Sequence, residues 1–104
     1  MGNRWRGDVA LTVDGVPRVA RLTLGALAAL EEDLGEDTLL ALVERFEGQR
    51  FSSRDVIALL GAGLRGGGVE MTDDAVAAAE IEGGPMAAAR AAAELLARAF
   101  VVPG

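Results

Sequence analysis

Two short stretches near the start of the chain alternate apolar and polar residues with a period of two. Val9, Leu11 and Val13 share one face of residues 8–13, and Ala20, Leu22 and Leu24 share one face of residues 18–24. Asp14-Gly15-Val16-Pro17 between them is turn chemistry, so the pattern predicts a β-hairpin. A lone hairpin is marginal in water and must be covered by helices or extended by another strand.

From residue 23 the period becomes helical. Leu24, Leu27, Leu30 and Leu34 recur behind a Thr23 N-cap, with Gly35 as the stop, and Glu31, Glu32 and Asp33 fall off that stripe as a solvated face. A second helix is expected from an Asp37 or Thr38 cap to Glu47, with Leu39, Leu40, Leu42, Val43 and Phe46 on its apolar side and Gly48 at C′. A third starts at Ser52 or Ser53, where Ser52-Ser53-Arg54-Asp55 resembles a capping box with a shorter acid, and Phe51 is placed as a hydrophobic staple. Its stripe is Val56, Ile57, Leu60 and Leu64. Thr72 with Asp73 and Asp74 starts a fourth helix, expected to reach about Glu82, and Gly83-Gly84 ends it. Pro85 at N1 opens an alanine-rich last helix to about Phe100, with Met86, Ala89, Ala93, Leu96 and Phe100 along one side. Val69-Glu70-Met71 is too short to assign. The fold class expected is therefore α+β, mainly helical: an N-terminal hairpin followed by four to five helices.

Composition sharpens this picture. The 104 residues fit a mobile arm over residues 1–7 and one compact domain over 8–104. The hydrophobic share is 51% but leans on alanine, with aromatics at 4%, so helices should pack closely through small side chains. A net charge of −6 argues against a duplex-binding surface and suits a basic partner. No leader pattern and no apolar run of about 20 residues is visible, so a cytoplasmic protein is expected.

Candidate chemistry is sparse. All ten basic residues are arginine, and His, Cys, Lys and Tyr are absent, which removes imidazole bases, thiol nucleophiles and soft metal ligands. No catalytic, cofactor-binding or metal-binding residue is expected. Asp73 and Asp74 read as first-turn acids of a helix, since no further acids recur at the spacing of a calcium loop.

The run Gly61-Ala62-Gly63-Leu64-Arg65-Gly66-Gly67-Gly68 has the spacing of a dinucleotide-binding loop, yet it follows a helix instead of a strand. The carbonyl end of that helix would face the glycines and repel phosphate. A nucleotide-dependent enzyme is thereby disfavoured. Gly61 and Gly63, inside a helical pattern, cost about 1 kcal/mol each against alanine. Close packing against that surface is the expected compensation, with Gly66, Gly67 and Gly68 supplying left-handed or extended backbone for the exit.

The order of Arg21-Leu22-Thr23-Leu24-Gly25-Ala26-Leu27, Arg45-Phe46-Glu47-Gly48, Phe51-Ser52-Ser53-Arg54-Asp55-Val56, the glycine run, Gly83-Gly84 and the alanine-rich last helix resembles a known family. It is that of the small tail-assembly-chaperone-like proteins of gene transfer agents and siphophage-type prophages, described in some accounts as tail tube proteins. The resemblance implies a non-enzymatic protein, monomeric or a small homo-oligomer, that binds tape-measure protein, tail tube protein or both during tail assembly. A structural subunit of the tail tube is the alternative. Trp5, Leu39, Leu40 and Phe46 are the expected partner contacts, because apolar and aromatic side chains beyond what one small core can bury serve as interface anchors.

Overall fold

The computed structural model describes residues 8–34 and 39–100. The expected arm over residues 1–7, Trp5 within it, the Gly35 stop and the Asp37 or Thr38 cap lie outside them. A two-stranded antiparallel hairpin, β1 (Val9–Val13) and β2 (Val16–Ala20), precedes five helices: α1 (Leu24–Leu34), α2 (Leu39–Glu47), α3 (Ser53–Gly66), α4 (Asp73–Ala78) and α5 (Gly84–Ala99). The class is α+β and mainly helical.

The hairpin turn is tighter than the sequence suggests. Val13 pairs with Val16, leaving Asp14 and Gly15 as a two-residue loop with φ of 51° and 79°. Positive φ at both positions makes a type I′ turn, which matches strand twist. Pro17 therefore lies inside β2, opposite Thr12. With Val13 and Val16 bonded to each other across the turn, Pro17 falls at a position facing away from β1, where its missing N–H breaks no ladder bond. β2 also ends earlier than expected. Ala20 is fully buried, but Leu24 opens α1 and is 85% exposed, so it shares no strand face with Ala20.

The helix starts follow their caps. The Ala26 N–H donates to Thr23 Oγ1 at 3.0 Å, and the Ala75 N–H to Thr72 Oγ1 at 3.1 Å. At α3 the capping box is complete: the Asp55 N–H donates to Ser52 Oγ at 3.1 Å and the Ser52 N–H to Asp55 Oδ2 at 3.0 Å. The end of α2 differs from the expectation, since the residue at positive φ is Gln49 (55°), not Gly48. Gln49 N–H donates to Phe46 O and Arg50 N–H to Arg45 O, the paired bonds of a Schellman motif with Gln49 at C′.

α4 stops at Ala78 instead of near Glu82 because the next segment is drawn back to the hairpin. The Asp14 N–H donates to Glu80 O, the Glu80 N–H to Asp14 Oδ1, and the Glu82 N–H to Thr12 O. Ile81 thereby bridges Val13 and covers the outer edge of β1, a place that Val69-Glu70-Met71 does not take.

Among the described residues six leucines are fully buried: Leu30 of α1, Leu42 of α2, Leu59, Leu60 and Leu64 of α3, and Leu95 of α5. Each contributes about 1.5–3 kcal/mol of burial, so α3 is the hub. Leu59, absent from the expected stripe, is as buried as Leu64. In α5 the buried face is Ala88, Ala91, Ala92, Leu95 and Leu96, whereas Met86 and Phe100, expected on the packed side, are 74% and 48% exposed.

Candidate functional site

The glycine run is the second half of α3 and its cap. From Leu59 to Leu64 every residue is buried, so this half-helix is surrounded on all sides. A helix so enclosed needs small side chains wherever a neighbour comes near. A methyl group at Gly63 would meet Leu95 Cδ1 at 2.7 Å and Ala20 Cβ at 3.2 Å. At Gly66 and Gly67 it would collide with the backbone carbonyl oxygens of Arg21 and Val19. At Gly61 it would meet only the carboxylate tip of Asp73 and the Arg65 guanidinium. Gly66 and Gly67 thus serve contact with the hairpin and not a left-handed exit. Only Gly68, at φ 91°, supplies that exit. Its N–H donates to Arg65 O and the Val69 N–H to Leu64 O, closing a second Schellman motif.

This geometry leaves no phosphate cradle. The glycines sit at the carbonyl end of α3, and Gly63 O already accepts from the Gly67 N–H at 2.9 Å and the Arg21 N–H at 2.8 Å. Arg65, the cation within the run, donates through Nη1 to Met71 O at 2.8 Å and Asp73 Oδ1 at 3.0 Å. Among the described residues no group of His, Cys, Asp or Glu is placed to hold a metal ion, and no helix is long and apolar enough to cross a membrane.

The expected contact residues on α2 are divided by the fold. Leu40 is 67% exposed, while Leu39 and Phe46 are half-buried against the core. Phe46 stacks on Phe51 with ring centroids 4.5 Å apart and planes 6° from parallel, so Phe51 joins α2 to α3. Beside this stack Arg45 Nε and Nη2 each donate to Asp55, at 3.1 Å. Burial pushes the Asp55 carboxyl up. The Arg45 guanidinium, the Ser52 backbone and the Ser52 side chain outweigh it and hold Asp55 below the usual carboxylate range. Arg21 Nε donates to Asp8 Oδ1 at 2.6 Å, a bond that raises the Arg21 pKa.

Two features escape the sequence reading. Leu24, Met86 and Phe100 are exposed apolar side chains outside the expected contact set. A groove of about 760 Å³ also opens between α3, α4 and the start of α5, lined by Val56, Ile57, Leu60, Val76, Ile81 and Met86. The exposure of Met86 is hidden in the sequence, because in an alanine-rich helix the phase through Ala88, Ala91 and Leu95 fits as well as the one through Met86.

The sequence model of the family described as "Phage tail tube protein, GTA-gp10" matches residues 6–101. The chain belongs to this family. No curated protein and no solved structure matches it. Membership in a phage tail tube protein, GTA-gp10 family ties the chain to the tails of phages and gene transfer agents. The glycine run is thus a packing device within a tail-related protein.

Proposed function

We propose that the chain is a non-enzymatic tail assembly chaperone, acting in the cytoplasm of the producing cell on tape-measure protein, tail tube protein or both. A chaperone of this kind covers apolar seams on its client until tube subunits polymerise. The observation that carries the reading is the combination of a two-stranded sheet with apolar side chains left open on the helices, Leu40 at 67% exposure among them. Leu40, with Leu39, Phe46 and Trp5 near it in role, contacts the client through side chains that one small core leaves over.

The second reading, a structural subunit of the tail tube, is favoured by the family's description as a phage tail tube protein. A ring-forming tube subunit needs an extended sheet, and this hairpin of two five-residue strands has its edges shortened, by Pro17 and the glycine run on β2 and by residues 80–82 at the turn end of β1. Co-expression with the neighbouring tape-measure product and pull-down tests the first reading, with retention expected. No retention, together with normal tails after deletion of the gene, overturns it. Mass spectrometry of purified particles separates the two readings, because a tube subunit is abundant in them and a chaperone is absent.

A further inference from the structure

The groove between α3, α4 and the start of α5 joins an acidic depression through Ile57 and Ala77. Groove and depression together carry Asp33, Asp55, Asp73, Asp74 and Glu80 against Arg54. Asp55 and Asp73 are paired with Arg45 and Arg65. Counting those two partners, five acids face three arginines, a formal charge of −2, and Asp33, Asp74 and Glu80 make no ion pair with a described residue. One flank of an apolar trough is thus acidic.

The backbone around the groove decides what kind of chain can lie in it. Val56, Ile57, Leu60 and Val76 sit on helices, the Glu80 N–H and C=O bond Asp14 of the hairpin turn, and the Glu82 N–H bonds Thr12 of β1. An extended strand would find no ladder there, so the occupant must satisfy its own backbone. That is a helix laid into a groove, recognised by anchors at i, i+3, i+4 and i+7.

We propose that this groove docks an amphipathic helix of a partner protein, whose apolar stripe fills the trough and whose Lys or Arg flank faces Asp33, Asp74 and Glu80. The inference rests on the chaperone reading for the identity of the client, and it moves the principal docking surface from α2 to the α3–α4–α5 face.

Two synthetic helical peptides with one leucine stripe, one flanked by lysine and the other by glutamate, test it by fluorescence anisotropy and amide chemical-shift mapping. The lysine-flanked peptide is expected to bind at least about tenfold more tightly, with shifts on α3, α4 and the start of α5. Met86→Glu alters a side chain that is 74% exposed, so the fold is kept, and it weakens that binding by about tenfold or more. Asp74→Arg with Glu80→Arg does the same. Glu44→Arg with Glu47→Arg, an equal charge change on exposed positions of α2 outside the groove, leaves it within about twofold. Equal binding of both peptides, shifts confined to α2, or an equal loss in the Glu44/Glu47 variant overturns the proposal. Tape-measure capture that Met86→Glu leaves intact overturns the groove and spares the chaperone reading. A wild-type protein that binds the lysine-flanked peptide at the groove but captures neither tail protein keeps the groove and removes the chaperone reading.

Discussion

At the scale of single residues, the glycines of α3 differ in what surrounds them, and so must their substitutions. A methyl at Gly66 or Gly67 meets backbone oxygen, which cannot rotate away, so Gly66→Ala and Gly67→Ala should lose at least about 3 kcal/mol. At Gly63 the obstacles are Leu95 and Ala20 side chains, and Gly63→Ala should lose about 1–3 kcal/mol despite its better helix propensity. Gly61→Ala displaces only the ends of Asp73 and Arg65 and should lie near neutral, since alanine recovers about 1 kcal/mol of propensity. Urea unfolding of the four variants checks the order, and a Gly61 variant worse than Gly67 would refute it. Asp55 gives a pH signature of known sign. Its folded-state value lies below the unfolded one, so its contribution is fully present above about pH 4 and fades as pH falls through the folded value. In urea titrations between about pH 2 and 6, Asp55→Asn should lack this acid-dependent component and be less stable than wild type above pH 4 (about the unfolded carboxylate value).

At the scale of elements, the described contacts of α2 include Leu42 in the core, with Leu39 and Val43 packed against it, the Arg45–Asp55 pair and the Phe46–Phe51 stack. Phe51→Ala removes the stack, worth about 1 kcal/mol beyond its burial. Amide exchange in Leu39–Glu47 should then rise roughly fivefold or more while that of α5 stays unchanged. The elements themselves were largely legible in the sequence, and the reason is locality. The caps at Thr23, Ser52 and Thr72 and the alternation of Val9, Leu11 and Val13 depend on neighbours three or four residues away at most. What could not be read depends on distant partners. Residues 80–82 leave the helical pattern because the hairpin takes their hydrogen bonds, and Pro17 enters a strand because its ring nitrogen faces away from β1. The register of α5 is hidden by its own composition, since alanine satisfies either face. Of the candidate site, Leu40 could be named from pattern, but the groove is made by three helices meeting and has no sequence signature.

At the scale of the whole molecule, residues 80–82 bond the turn end of β1 and Gly67 lies against Val19 of β2, which shortens the sheet edge open to strand pairing. Purified particles should accordingly contain the protein at far below the level of the tube subunit, and near-equal abundance by quantitative mass spectrometry would reverse the chaperone reading. The hydrogen bond from the Arg21 N–H to Gly63 O, 2.8 Å long, ties the end of the hairpin to the last turn of α3 across 42 positions of sequence. That amide cannot meet solvent unless the hairpin lifts off α3, which also uncovers Ala20 and the glycine face. Its exchange should therefore track global unfolding and not local fraying, making Arg21 a single-site reporter of the cooperative unit to which the first strands and the buried helix both belong.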